Sequence, residues 1–332
     1  MPFLPAGYLA FAAFTSITVA DTSPHTQRMV AVAPGVSLEV LDWGGRGPPV
    51  VLLTGIGNTA HVYDDLAPRL ARDFHVFGVT RRGYGRSTAA APGLTINRLA
   101  DDVAAVLDSL HLSRPALIGH SLGTMELVVL GTRYGDRFRG LVFLDGPYDE
   151  GYPDILAAVL AFDSLPGPPK RTAHDRVSYA ALQAADMRRD GYMTPIGDYE
   201  ARYQWSADSL LRAPTGGIDL DSVWATIQFP LQLQRIRAPS LAIYSLWEAS
   251  VEQMIPYFAQ LDSTDQATAR ALHARWAAGG RDEVRRRQMD RFRHQMPHGR
   301  AVGISGAPHY AFLSHADEVY ALVRSFLLER SP

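Results

Sequence analysis

The chain alternates short apolar runs with longer stretches in which apolar residues recur at helical spacing. Residues 50–53, 116–118 and 141–144 are entirely apolar, which is typical of parallel strands covered on both faces. Residues 96–110 place their leucines and valines on one side of a predicted helix. The same reasoning predicts further strands at 36–43, 74–79, 241–244 and 301–304, and further helices at 122–134 and 317–328.

This alternation predicts an α/β fold, with a mainly parallel, twisted sheet of about eight strands and helices on both faces. The alternation of strands and helices stops between Gly146 and Arg237, a region rich in proline and aromatic residues. We interpret that region as a helical cap inserted over the sheet rather than as an independent domain. The predicted core is therefore 30–145 together with 238–332, and the predicted cap is 146–237.

Composition narrows the chemistry that such a core can carry. The chain has 332 residues, a formal net charge of −2 and no cysteine. Disulfides, thiolate nucleophiles and cysteine-ligated metals are therefore excluded. No bulk positive field is present to hold nucleic acid. The sequence predicts no cofactor and no metal site, and it carries no signal for an oligomeric state.

The N-terminal residues 1–20 include an apolar run at 8–20 that ends in small residues before Asp21. The run is shorter than the roughly 20 residues that a membrane-spanning helix needs. It predicts a signal peptide and export, with an apolar arm packed on the body of a cytoplasmic protein as the alternative. No other segment is long and apolar enough to span a membrane.

The sharpest motif is the sequence Gly119-His120-Ser121-Leu122-Gly123, which lies between a predicted strand and a predicted helix. A serine on such a tight strand-to-helix turn is exposed above the sheet, beside the N-terminus of the helix. Ser121 is therefore the candidate nucleophile. The alternative is a plain turn in which the serine only caps the helix.

Two further strand ends carry the residue types that a serine nucleophile needs. His309 follows the predicted strand 301–304, and Glu248 follows the predicted strand 241–244. Ligands bind beyond the carboxyl ends of parallel strands, so these side chains are candidates for the base and for its orienting acid. Asp145, which follows the strand 141–144, is the alternative acid.

Together these motifs resemble the α/β-hydrolase superfamily, over about Val36 to Leu328. Residues 54–57 resemble the oxyanion loop of the family, residues 82–87 its R-G-x-G-x-S turn, and residues 306–309 its histidine loop. Thr54 and Thr80 stand where the family more often has His and Asp, and Glu248 stands where Asp is commoner. The resemblance implies a cap after the sixth strand and an oxyanion hole formed by the backbone N–H groups of Ile56 and Leu122.

The reaction that these roles imply is hydrolysis of a small or medium carboxylic ester through an acyl-serine intermediate. An amidase, an aminopeptidase or a lactonase would use the same triad, and Asp198 or Glu200 could hold a substrate amine. A ligand-binding protein with little turnover is the alternative from another class. The predicted substrate-binding residues are Gly55, Gly57, His120, Tyr148, Trp205 and Trp247.

Two other patterns have a plainer interpretation. Residues 55–60 read G-x-G-x-x-A after a strand, which imitates a dinucleotide fingerprint with Arg81 near a 2′-phosphate. That interpretation leaves the serine and histidine motifs unexplained. Residues 281–294 mix arginines with acidic residues, which is typical of a solvated helix face and, alternatively, of a basic docking patch.

Overall fold

The computed structural model describes residues 21–149, 165–214, 216–246, 250–278 and 281–329. The predicted signal peptide at 1–20 lies outside the described residues, and so do Trp247 and Glu248. Within the described residues, no helix is long and apolar enough to cross a bilayer.

Eight strands form one twisted sheet, and two short strands form a separate ribbon. The strands are Thr26–Ala33 (β1), Val36–Gly44 (β2), Pro49–Leu53 (β3), His75–Val79 (β4), Ala116–His120 (β5), Gly140–Leu144 (β6), Gln204–Trp205 (β7), Leu211–Arg212 (β8), Ser240–Leu246 (β9) and Gly299–Ser305 (β10). The sheet order is β1-β2-β4-β3-β5-β6-β9-β10. Only the β1–β2 and β2–β4 pairs of this sheet are antiparallel.

Helices connect these strands on both faces. Those that the structure describes are Ala67–Leu70 (α1), Ile96–Ser109 (α2), Leu122–Arg133 (α3), Tyr179–Asp190 (α4), Ile196–Arg202 (α5), Leu220–Trp224 (α6), Val251–Met254 (α7), Ser263–Ala278 (α8), Arg281–Gln295 (α9), Ala311–Ser314 (α10) and Ala316–Leu328 (α11). The predicted α/β class with a mainly parallel eight-stranded sheet is confirmed.

The sheet separates two apolar layers because successive side chains of a strand point to opposite faces. In β3, Val51 and Leu53 pack with α2 and α3, whereas Val50 and Leu52 pack with α1, α10 and α11. All four side chains are buried. A strand buried on both faces is mostly apolar, which is why β3, β6 and the first three residues of β5 were visible as apolar runs in the sequence.

The edge strand β1 is the one strand of the large sheet that the hydrophobic pattern did not predict. Only Val30 of its eight residues is buried, and the strand pairs with β2 alone. An edge strand with so little buried surface gives no periodic apolar signal, so tertiary pairing determines its position.

Between β6 and β9, none of the described residues joins the large sheet. The elements described there are α4, α5, α6 and the β7–β8 ribbon. The ribbon departs from the expectation of a purely helical insertion. Its strands have two residues each, too few for a period-2 pattern to appear in the sequence.

Candidate active site

Ser121 lies on a strained turn at the carboxyl end of the central strand β5. Its φ is 52° and its ψ is −119°, a conformation that non-glycine residues rarely adopt and that clusters at functional sites. A Cβ at Gly119 would lie 2.6 Å from the carbonyl carbon of Gly123. A Cβ at Gly123 would lie 2.8 Å from the carbonyl oxygen of Leu53. Glycine is therefore required at position 119 by the helix that follows and at position 123 by the end of β3.

The hydroxyl of Ser121 is hydrogen-bonded to the hydroxyl of Tyr148, at 2.9 Å, and either oxygen can donate. Tyr148 follows β6, is buried, and packs its ring against Trp224. Among the described residues, no hydrogen bond joins Ser121 to His309. Tyr148 was a candidate substrate-binding residue from its place in the sequence, and the structure places it directly on the candidate nucleophile.

His309 lies in the loop after β10, and its Nδ1 is 2.6 Å from Oδ2 of Asp145. Asp145 follows β6 directly and is buried. Its other oxygen accepts a hydrogen bond from the backbone N–H of Ser245, at 2.9 Å. The structure therefore brings Asp145, the alternative acid of the sequence analysis, to the imidazole. Glu248, the preferred one, lies outside the described residues.

Asp145 stays ionised although it is buried. Burial by itself would raise the pKa of this carboxyl, but the charge of Arg285 and the hydrogen bond with His309 lower it to about 2. A carboxylate can only accept hydrogen bonds, so Nδ1 of His309 is the donor of the pair. The lone pair of the neutral ring is consequently on Nε2.

Arg285 of α9 supplies the positive charge, with Nη2 lying 3.1 Å from Oδ1 and 3.2 Å from Oδ2 of Asp145. Its side chain is buried. The interpretation of residues 281–294 as a solvated face is therefore wrong at this position. Charged residues at helical spacing do not reveal that one of them faces a buried carboxylate on the sheet.

His120 is buried next to the nucleophile and is neutral. Its burial, together with the neighbouring His309, lowers the pKa of His120 to about 3. The Nε2–H group of His120 donates to the backbone carbonyl of His309, at 3.0 Å. A Cβ at Gly55 would lie 2.7 Å from Nδ1 of His120, so only glycine can occupy this position of the loop.

The loop after β3 is anchored from beneath by the buried Arg81. This guanidinium donates to the carbonyls of Thr54 at 2.7 Å and Gly55 at 3.1 Å, and to Glu126 at 2.7 Å. The carbonyl of Gly55 and the N–H of Ile56 belong to one trans peptide, in which C=O and N–H point in opposite directions. The N–H of Ile56 therefore points away from Arg81. Among the described residues, neither this N–H nor that of Leu122 has an acceptor.

The dinucleotide interpretation of residues 55–60 loses both of its supports. The loop leads into a short 3-10 turn, Ala60–Tyr63, and not into the helix that would bind a pyrophosphate. Arg81 is buried in its ion pair with Glu126, so its charge is not directed to a ligand.

The same loop is fastened to the insertion by Asp198 of α5. One oxygen of this fully buried carboxylate accepts from the backbone N–H and the hydroxyl of Thr59, both at 2.8 Å. The other oxygen accepts from Asn58 at 3.1 Å and from Arg202 at 2.8 Å. Asp198 is therefore not available to bind a substrate amine, as an aminopeptidase would require. Glu200 is exposed.

Two of the remaining predicted substrate-binding residues are described. Gly57 has a φ of +81° and open space where a Cβ would lie, so its role in the loop is conformational. Trp205 lies in the β7–β8 ribbon, is 51% exposed, and contacts the ring of Tyr179. Its exposure shows that the tryptophan does not belong to the packed core.

A model of the alpha/beta hydrolase fold family matches residues 48–316. The chain belongs to this family. It is 31% identical over 290 residues to a pimeloyl-[acyl-carrier protein] methyl ester esterase of Neisseria meningitidis serogroup A, a match that covers 84% of this chain and 76% of the relative. A shorter match of 107 residues, 35% identical, covers 32% of this chain and 38% of a 2-(acetamidomethylene)succinate hydrolase of Mesorhizobium japonicum.

Solved structures share the fold over most of the chain. An E-2-(acetamidomethylene)succinate hydrolase superposes with a TM-score of 0.58 at 22% identity, covering 91% of this chain and 99% of the other. The carboxylesterase CesB of Bacillus subtilis gives 0.56 at 17% identity, covering 91% of each chain. As a member of this family with esterase and hydrolase relatives, the chain is a hydrolase.

Proposed function

We propose that this chain hydrolyses carboxylic esters through an acyl-Ser121 intermediate. The observation that carries the proposal is the ionised, buried Asp145 bonded to Nδ1 of His309 at the same edge of the sheet as the strained Ser121. This arrangement matches the three roles of a serine hydrolase: nucleophile, base and orienting acid. The methyl ester esterase relative supports an ester as the substrate class.

In the proposed first half-reaction, Nε2 of His309 accepts the proton of Ser121 while Oγ bonds to the ester carbonyl carbon. The carbonyl oxygen becomes an oxyanion, and the N–H groups of Ile56 and Leu122 donate to it. His309 then returns its proton to the departing alcohol oxygen. Water repeats the sequence on the acyl-serine, which releases the carboxylic acid and restores Ser121.

Tyr148 modifies the first step because its hydroxyl is bonded to Ser121. If Tyr148 donates, the Ser121 proton remains available for His309 once the serine side chain turns toward the imidazole. Catalytic hydrogen bonds are often looser without substrate and tighten in the reacting complex. Tyr148 therefore acts here as a positioning residue for the hydroxyl.

Asp145 is the proposed acid because Nδ1 of His309 carries a single hydrogen, and the contact with Asp145 uses it. The backbone N–H of Ser245 holds the other carboxylate oxygen, and Nη2 of Arg285 lies within 3.2 Å of both oxygens. Glu248 follows the neighbouring strand β9. Replacing Glu248 and Asp145 in parallel shows on which carboxylate the activity depends.

The experiment is hydrolysis of short p-nitrophenyl esters combined with labelling by a fluorophosphonate, which phosphonylates an activated serine and releases fluoride. We expect turnover in the wild type, one label per chain on Ser121, and a loss of about 10⁴-fold or more in Ser121→Ala. Ser209→Ala is the matched control, since Ser209 is an exposed serine that also has a positive φ. Labelling without turnover would favour a binding protein, and hydrolysis of anilides in preference to esters would favour an amidase.

A further inference from the structure

Two histidines and two aspartates form a cluster outside the candidate active site. Asp21 and His25 immediately precede β1, His61 lies in the 3-10 turn Ala60–Tyr63, and Asp64 follows that turn. One ligand atom of each residue, imidazole nitrogen or carboxylate oxygen, lies within 4.8 Å of the corresponding atoms of the other three.

Three distances between donor atoms are close to those around a small tetrahedral ion. Nδ1 of His61 is 3.0 Å from Oδ2 of Asp64 and 3.4 Å from Oδ2 of Asp21, and Nδ1 of His25 is 3.8 Å from Oδ2 of Asp21. Zinc bonds of about 2.0–2.2 Å to nitrogen and oxygen place tetrahedral ligands roughly 3.4 Å apart. The remaining pairs of donor atoms lie within 4.8 Å of one another, so side-chain movements of up to about 1.4 Å would bring all four atoms to one ion.

Two atoms of the cluster are buried without a hydrogen-bond partner among the described residues. They are Nδ1 of His25 and Oδ1 of Asp64, whose side chain is only 4% exposed. Burying an unsatisfied polar atom costs roughly 1–3 kcal/mol, and such atoms are rare in native proteins. A bound cation would give Nδ1 of His25 a partner, and a bidentate Asp64 would use Oδ1 as well as Oδ2.

Glycine at position 197 keeps the centre of the cluster open. A Cβ there would lie 2.4 Å from Oδ2 of Asp64, 2.7 Å from Nδ1 of His61 and 3.0 Å from Oδ2 of Asp21. One point of space is therefore close to three of the four donors, and no side chain of residue 197 fills it. The ring of His25 closes another side, 5.0 Å from the ring of His61.

We infer that Asp21, His25, His61 and Asp64 form a binding site for a divalent transition metal, with Zn²⁺ as the ion that matches the ligand set. Two imidazoles and two carboxylates are donors that zinc commonly takes, and the two negative charges balance the ion. Four protein ligands leave no open position, so the site is structural. It ties the segment before β1 to the loop after β3, beneath the N-terminus of α5.

The test is isothermal titration of Zn²⁺ into the chelator-treated full chain, with thermal unfolding measured in parallel. We expect one ion per chain and a Tm that rises with zinc concentration, because a ligand bound only to the folded state stabilises it. Asp64→Asn removes a ligand, and Gly197→Ala fills the space without removing one. Each should weaken zinc affinity by at least 10-fold and abolish the Tm shift.

His298→Gln is the control, since it removes an exposed histidine from another part of the surface and should leave affinity unchanged. The proposal is overturned if the wild type shows neither binding heat nor a Tm shift. It is also overturned if Asp64→Asn and Gly197→Ala bind as the wild type does. Ser121→Ala should bind zinc normally, so this result is independent of the proposed esterase activity.

Discussion

Two buried arginines hold the two sides of the candidate active site, and they do so in different ways. Arg81 is bonded to Glu126 and to two loop carbonyls, none of which takes part in the proposed chemistry. Arg285 is bonded to Asp145, which is itself bonded to the proposed base His309. The Arg81–Glu126 pair therefore supports the structure of the loop, whereas the Arg285–Asp145 pair contributes to the electrostatics of the proposed reaction.

The difference predicts different consequences when each pair is broken. Without Arg81, a buried carboxylate and two carbonyls lose their donor together, so the main loss is in folding stability. Without Arg285, Asp145 keeps its hydrogen bonds with His309 and Ser245 but loses a charge that lowers its pKa, so the main change is in the pH at which Asp145 becomes protonated.

The largest effect is expected from Asp145→Asn, which should lower kcat/KM by about 10⁴-fold. An amide can present its NH₂ group to Nδ1 and so favours the tautomer of His309 that cannot accept the serine proton. Steady-state hydrolysis of p-nitrophenyl esters measures this loss, with Glu248→Gln as the parallel variant. A severe loss in Glu248→Gln and a mild one in Asp145→Asn would reverse the assignment of the acid.

Arg81→Met should lower the free energy of unfolding by about 3–5 kcal/mol, because it leaves Glu126 buried without its partner. Urea denaturation monitored by tryptophan fluorescence measures the change. Pairing this variant with Glu126→Leu, which removes both charges, should recover part of the stability. If the double variant is no more stable than Arg81→Met, the unpaired carboxylate is not the source of the loss.

Arg285→Met should move the acidic limb of the kcat/KM profile to higher pH, since the pKa of Asp145 rises when this positive charge is lost and a protonated Asp145 no longer orients His309. Arg285→Lys should restore most of the wild-type profile. A variant that lost stability but kept the wild-type pH profile would show that Arg285 acts only as scaffold, like Arg81.

Tyr148→Phe should change kcat by about 2- to 10-fold, the range that one neutral hydrogen bond provides. The phenyl ring retains the packing against Trp224, so the folded structure should be preserved. Pre-steady-state acylation rates separate this effect from product release. A loss as large as that of Asp145→Asn would mean that Tyr148 takes part directly in proton transfer.

The smallest effect concerns stability in acid. Asp145 has a pKa of about 2, below its ordinary value of 3.8, so its ionised form stabilises the folded state above that ordinary value. This contribution should disappear as the pH falls from about 4 to about 2. Urea midpoints measured across that interval should fall more steeply for the wild type than for Asp145→Asn. Equal slopes would show that Asp145 is not the carboxylate that titrates.

The sequence alone predicted most of the parallel sheet, because strands such as β3 are buried on both faces and therefore consist entirely of apolar residues. It also identified Ser121 and His309 as candidates, since each follows a strand in a short glycine-containing loop. The local sequence pattern predicts a strand or a site residue where a single segment of the chain determines both the backbone conformation and the side chain at that position.

Only the tertiary structure decided which residues meet. Each candidate acid, Glu248 as the preferred one and Asp145 as the alternative, was a carboxylate after a strand. The contact of Asp145 with His309 joins positions 164 residues apart. Arg285 lies among exposed arginines in the sequence, and the cluster of Asp21, His25, His61 and Asp64 spans two separate segments. Such contacts depend on the packing of distant elements, which no local periodicity records.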